Sequence, residues 1–236
     1  MKKLLFAVLS FISVNAFAQT ADEIIQKYAA TMGGLDAINK VTSAKISGTY
    51  SIQGTDVPFT IQILNGKGMR SDLEVMGQTV TSAYYNGKGW KVNPLAGVSS
   101  PTETSGAELN DAKAQASLAS PLMDYKARGH QVELLGKETV EGVECYKIKL
   151  TAKEDSRVTT YFISTKDNTL IKSATDREIQ GQTMEVESWF SDLKEFGGIK
   201  FFMMRDSKIE GQVFQSVKYE KVELNVPIDE KIFEMK

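Results

Sequence analysis

The chain has 236 residues, with 28 basic and 30 acidic side chains, 42% hydrophobic residues, one cysteine and one histidine. That length supports one sizeable core, while the slightly acidic balance argues against nucleic acid or an anionic membrane as the main partner. A lone Cys145 excludes a disulfide framework and a cysteine metal cage, and a lone His130 excludes a multi-histidine zinc site.

Met1-Lys2-Lys3 leads into an apolar run from Leu4 to Val14 that closes on Ala16-Phe17-Ala18. A basic start, a short apolar stretch and an Ala-x-Ala end have the design of a secretory signal peptide, expected to be cleaved after Ala18. The run is too short for a spanning helix, which needs about 20 apolar residues. No cysteine follows it, so the exported product is expected without a lipid at its N-terminus. Removing Lys2 and Lys3 leaves 26 basic against 30 acidic residues, a net charge of about −4 on a single domain over 19–236.

Thr20-Ala21-Asp22-Glu23 is a capping box opening a helix whose Ile24, Ile25, Tyr28 and Met32 share one face, and Gly33-Gly34 ends it. A shorter turn follows from Leu35 to Lys40. Alternating segments come next: Ile46, Tyr50 and Ile52; then Val57, Phe59, Ile61 and Ile63; then Met69, Leu73 and Val75. Such alternation predicts antiparallel strands with one apolar and one wet face. A Gly-Gln turn recurs at Gly77-Gln78 and Gly211-Gln212 with uneven spacing, which suggests one hairpin solution reused around a continuous meander and excludes a solenoid. Asn86-Gly87 is a strong hairpin signal, because both central residues of a tight hairpin turn need positive φ. Asn93-Pro94 stops the ladder, and Leu95 to Ser105 reads as loop.

Ser105-Gly106-Ala107-Glu108 suggests a second capping box before an alanine-rich helix from Ala107 to Leu118. Ser120-Pro121-Leu122-Met123 restarts a short helix with proline early, where its missing N–H costs nothing. Strands resume at 131–137, 143–151, 157–164, 169–179, 183–192, 199–208 and 212–226, about 11 in all or one more. In the last, the alternating phase changes from Val217/Tyr219 to Val222/Leu224, which predicts a bulge near Lys221.

Catalytic signals are few. His130 follows Arg128-Gly129 and reads as a surface residue, and no Gly-x-Ser-x-Gly elbow accompanies it. Asp72/Glu74 and Glu185/Glu187 alternate like the solvated face of a strand. No enzyme activity and no cofactor are expected. Large apolar surface is plentiful, including Met184, Trp189, Phe190 and Phe201-Phe202-Met203-Met204. Most of it must be ordinary core, yet a wide curved sheet under a few short helices leaves room for an apolar ligand, and methionine adapts to variable partners.

Asn86-Gly87-Lys88-Gly89-Trp90-Lys91-Val92-Asn93-Pro94 resembles the Asp-Gly-Lys…Trp…Asn-Pro hairpin of the periplasmic lipoprotein carriers, the LolA/LolB-like superfamily. Ser120-Pro121-Leu122-Met123 looks like that family's proline-containing helix between the two halves of the sheet, and Asn225 to Phe233 is similar to its closing segment. The likeness spans nearly the whole mature chain and is nearest to the divergent outer-membrane lipoprotein-sorting proteins. It implies a mainly β fold, a half-open antiparallel β-barrel with an N-terminal helix and a helical insert covering the concave face. It also implies a periplasmic carrier that holds acyl chains of lipoproteins or free lipid and moves them toward the outer membrane. An inner-membrane donor and an outer-membrane receptor would then be partners, and the carrier itself is expected to be a monomer. A non-transporting lipid-sensing or scaffolding envelope protein is the alternative, and a hydrolase the third candidate. Carriers of the family hold the lid with an arginine from an Arg-Pro hairpin, whereas the matching turn here is Asn65-Gly66-Lys67-Gly68, with Arg70 further along.

Shared alternation phase places Ile46, Tyr50, Phe59, Ile61, Met69, Leu73, Tyr84, Trp90, Ile148, Leu150, Phe162, Met184, Val186, Phe201 and Met203 on the concave side as candidate ligand contacts. From the insert, Leu118, Leu122 and Met123 are the residues expected to be exchanged for cargo.

Overall fold

A computed structural model of the chain describes residues 19–235 apart from Gln53 and Gln180. The expected signal peptide therefore lies outside the described residues. The helices are α1 (Ala21–Thr31), α2 (Leu35–Lys40), α3 (Gly106–Gln115) and α4 (Tyr125–Arg128). The strands are β1 (Ser43–Ile52), β2 (Thr55–Leu64), β3 (Gly68–Val75), β4 (Gln78–Tyr85), β5 (Lys88–Asn93), β6 (Val98–Thr104) and β7 (Gln131–Val140). They continue with β8 (Val143–Thr151), β9 (Val158–Ser164), β10 (Leu170–Ile179), β11 (Gln182–Phe196), β12 (Ile199–Ile209) and β13 (Gln212–Leu224).

All 13 strands form one antiparallel sheet in the order β6-β5-β4-β3-β2-β1-β13-β12-β11-β10-β9-β8-β7. The meander is not continuous. It consists of two, β1–β6 and β7–β13, joined where β1 pairs with β13. The two ends of the sheet, β6 and β7, are consecutive in the chain and unpaired with each other among the described residues, so the segment carrying α3 and α4 must cross from one edge of the open barrel to the other.

Local chemistry accounts for the elements. Thr20 caps α1, its hydroxyl accepting from Glu23 N–H while the Glu23 carboxylate accepts from Thr20 N–H, and Ile24, Ile25, Tyr28 and Met32 are buried together. Asn86 and Gly87 both take positive φ, 47° and 89°, in a two-residue turn between β4 and β5. The phase change in β13 is a bulge: Ser47 pairs with Lys221 but Gly48 with Tyr219, leaving Glu220 over. Gly48 is needed there, because a Cβ would stand 2.0 Å from the Lys218 carbonyl oxygen.

Two local expectations need correction. The stretch read as loop after Asn93 contains a 3₁₀ turn at Pro94–Ala96 and then β6. As an edge strand mostly open to solvent, β6 tolerates Pro101 and polar side chains that would be costly in a central strand. Ser105 is the N-cap of α3 but makes no capping hydrogen bond, and Glu108 pairs with Lys91 on β5, 2.8 Å away, instead of closing the box.

Candidate ligand cavity

Cross-strand register defines the two faces. Ile46, Ile61 and Val222 are opposite one another, as are Ile63, Met69 and Tyr84 along β2–β4, on the face that meets α3 through Ala112 and Ala116. Sixteen of the 18 expected residues lie on this concave side or on the insert that covers it; Trp90 and Phe162 do not. Gly89 holds the concave position on β5, in contact range of Leu109, so Trp90 points outward and donates its indole N–H to the Phe233 carbonyl. Phe162 pairs across from Lys147, opposite to Tyr161, and packs outside with Cys145, Val140 and Ala174. In β9 large side chains occupy adjacent positions, Tyr161 and Phe162, and the inward position expected for Phe162 falls to Tyr161 instead; in β5 it falls to Gly89. The Lys172 ammonium lies 4.8 Å from the Phe162 ring and 5.2 Å from the Trp189 ring, so the outer face carries a cation–aromatic row in place of a plain solvated surface.

His130 also departs from expectation. Its side chain is only 7% exposed, and Nδ1 accepts from the Lys153 backbone N–H at 3.2 Å. Burial pushes its pKa below the usual value, against the opposing pull of Glu154. It is a neutral structural acceptor between α4 and the β8–β9 turn. Cys145 is fully buried, and burial raises its thiol pKa.

The concave face is filled unevenly. Under α3, Ile46, Phe59, Met69, Tyr84 and Met203 form a packed cluster with Ala112 and Ala116, while Ile61, Tyr50 and Leu73 border it. Under α1 and the proline segment, Leu122, Met123, Ile148 and Leu150 pack with Tyr28 and Tyr161. Met184 and Val186 lie on β11 in phase with Arg177 and Thr175 of β10. Between the two clusters remains a hollow of about 590 Å³. Its apolar wall is Tyr28, Met32, Ile38, Leu118, Met123, Leu170, Phe190, Ile199 and Phe201. Only Leu118, Met123 and Phe201 of the expected set reach it. A second hollow of about 550 Å³ under α3 and α4 includes Leu150 and shares Ala114, Pro121, Arg157, Thr159 and Tyr161 with the first.

The sequence reading missed the polar wall. Asp111 of α3, Arg157, Arg177 of β10 and Arg205 of β12 all line the larger hollow. Asp111 accepts from Arg177 Nη1 at 2.7 Å and stands 2.8 Å from Arg157 Nη2. The signal was available: Arg205 falls in the alternation phase of Phe201 and Met203, where an ordinary core would not place a charge. Tyr28 and Tyr161 line the same hollow, and burial raises both pKa values, Tyr28 to about 12.

The insert is tied across the opening by polar pairs. Lys91 to Glu108 anchors α3 to β5; Asp111 and the Lys113–Glu154 pair, 2.9 Å apart, anchor it on the far side. Asn65, in the turn where the carriers have their latch arginine, accepts from Leu118 N–H and donates to the Ile38 and Val41 carbonyls. Arg70 does not reach the insert; it pairs with Asp72 and donates to the Ile232 carbonyl on the outer face. Among the described residues no cluster of His, Cys, Asp and Glu is placed to hold a metal, and no helix is long and apolar enough to cross a membrane.

No family model matches the chain, and no curated protein matches it in sequence. In three dimensions it is similar to a LolA superfamily protein from Nitrosomonas europaea, at 13% identity and a TM-score of 0.61, covering 92% of this chain and 98% of that one. It is similar also to a DUF1329 family protein from Desulfovibrio piger, at 13% identity and a TM-score of 0.62, again over 92% and 98%. A domain assigned as an outer membrane lipoprotein-sorting protein from Vibrio parahaemolyticus gives 10% identity, a TM-score of 0.60, and coverage of 91% and 95%. The fold is thus that of the LolA-like half-barrels, as the resemblance of the hairpin and proline segment implied.

Proposed function

We propose that this LolA-like chain is an exported, periplasmic carrier that holds acyl chains of lipids or lipoproteins in the hollow between β9–β12 and the helices, and moves them toward the outer membrane. The hollow carries the reading: about 590 Å³ of space between the concave face and the covering helices, with tyrosine, methionine, leucine, isoleucine and phenylalanine side chains forming its apolar wall. Small-molecule sites are usually concave, largely apolar and about 300–1,000 Å³. The signal-like start Met1 to Ala18 and the name of the Vibrio domain support the envelope setting.

The insert from α3 through Tyr125 acts as the lid in this reading. The apolar hold of α3 on the sheet is light, from Leu109, Ala112 and Ala116, whereas Leu122 and Met123 at the far end of the insert are buried with Ile148 and Leu150. A buried CH₂ contributes roughly 0.8 kcal/mol, so alanine contacts hold far less than leucine ones. Cargo chains replace these contacts as the lid lifts, and the polar pairs restore its closed position. Ligand extraction from protein purified out of its native envelope, followed by mass spectrometry, tests the proposal. Stoichiometric acyl species are expected. A ligand-free protein that also fails to take up a fluorescent fatty-acyl probe would sink it and favour a scaffolding role.

A further inference from the structure

The hollow has two unlike ends. Near α1 and α2 its wall is apolar, from Met32, Ile38, Leu170 and Ile199. Toward the opposite strand ends it is cationic. Arg177 lies near the end of β10 in phase with Ser173, and Arg205 lies on β12 across from Phe190 and Val217.

The charges there do not balance. Asp111 serves both Arg157 and Arg177, and Asp155 stands 3.8 Å from Arg157. Arg205 has no carboxylate within ion-pair distance among the described residues, and its Nε is buried without a hydrogen-bond partner. A buried charged donor left without an acceptor is costly. The Arg205 side chain also lines the hollow, a space large enough to bring an acceptor from outside the chain. A guanidinium fork matches the two oxygens of a carboxylate or phosphate, and the attraction is stronger where water is scarce.

Resting on the acyl-binding reading, we infer that the ligand of this hollow is an acidic amphiphile whose single carboxylate or phosphate meets Arg205, with Arg177 beside it, while its hydrocarbon chain runs toward Met32, Leu170 and Ile199. This narrows the cargo. Ester- or amide-linked acyl chains without an acidic headgroup bring no acid to the cationic wall, so a free fatty acid or an acidic lysolipid fits better than the acylated end of a lipoprotein. Binding of the acid group at Arg177 also competes with Asp111, so loading weakens one of the ties that hold α3 down.

The test uses the chain from residue 19 onward, loaded with the neutral fluorophore N-phenyl-1-naphthylamine, and three competitors: palmitate, palmitoyl lysophosphatidate and uncharged monopalmitoylglycerol. The acidic competitors are expected to displace the probe at concentrations about tenfold below the neutral one. Arg205→Gln is expected to abolish that preference, so that acidic and neutral competitors displace the probe at equal concentrations, and Arg205→Lys to retain part of it. Which acid is preferred separates a carboxylate ligand from a phosphate one. Equal displacement by acidic and neutral competitors in the unaltered protein would overturn the inference and leave acyl binding standing, with no variant needed. A preference that survives in Arg205→Gln would overturn the role of Arg205. Failure of the probe and of every competitor to bind would overturn the acyl-binding reading, and this inference with it.

Discussion

The indole N–H of Trp90 donates to the backbone carbonyl of Phe233 at 2.7 Å, across the outer face of the sheet from the hollow. This bond fastens the C-terminal 3₁₀ turn (Glu230–Phe233) over β3–β5, with Phe233 fully buried and Arg70 holding the neighbouring Ile232 carbonyl. Through Trp90, the hairpin that carries the resemblance fastens the C-terminal turn to the outer face. Trp90→Phe keeps an aromatic ring but leaves a buried carbonyl without its donor. A loss of about 1–3 kcal/mol in urea unfolding is expected, with probe binding unchanged. Weakened binding without loss of stability would contradict the outward placement.

Gly48 sits where the β13 bulge brings the Lys218 carbonyl against β1, at the junction of the two meanders. A methyl group cannot enter a gap of 2.0 Å to a backbone atom without moving the strand. Gly48→Ala is expected to cost about 3 kcal/mol, since overpacking against backbone finds no rotamer escape. A thermal unfolding midpoint equal to that of the unaltered protein would show the junction to be pliable.

If the insert is the lid, fixing it should stop exchange. Cysteines in place of Lys91 and Glu108, whose side chains meet between β5 and α3, give one side of the tie without touching the hollow. The native Cys145 is fully buried and should stay silent. Joining the pair with a reducible bis-maleimide is expected to slow uptake of a fluorescent fatty-acyl probe by at least about tenfold and to restore it on reduction. Uptake at the original rate with the link intact would assign the gate to another element.

Asp22 of α1 accepts from Lys126 and from the Tyr125 hydroxyl on the insert, which holds its pKa below the usual 3.8. The sign follows from linkage: with the folded value depressed, the contribution is full above 3.8 and disappears as pH falls through the lower native value. Because both partners of the ion pair are substantially exposed, the effect should be under about 1 kcal/mol. Unfolding of the unaltered protein and Asp22→Asn is expected to differ near pH 7 and to converge once pH falls below the lowered native value of Asp22. A difference that persists at the acid end would assign the effect to packing.

Much of the architecture was legible in the sequence. Period-two alternation in Ile46/Tyr50, Phe59/Ile61 and Met69/Leu73 specified antiparallel strands and assigned their inward side chains, because a pleated strand must send neighbours to opposite faces. The Thr20–Glu23 box and the Asn86-Gly87 turn were equally readable, since their hydrogen bonds and φ values are satisfied within a few residues.

What tertiary structure decided lies at longer range or where the local code is degenerate. No segment near β1 encodes its pairing with β13, which splits the meander and sends the insert across the opening. Trp90 and Phe162 belong to strands with bulky or amphipathic groups on both faces, so alternation established that neighbours diverge but not which one turns inward. Asp111, Arg157, Arg177 and Arg205 are scattered charges in the sequence and become one wall only when α3 closes over β9–β12. Local chemistry is written residue by residue; a cavity is what remains where distant surfaces, each locally determined, fail to fill the space between them.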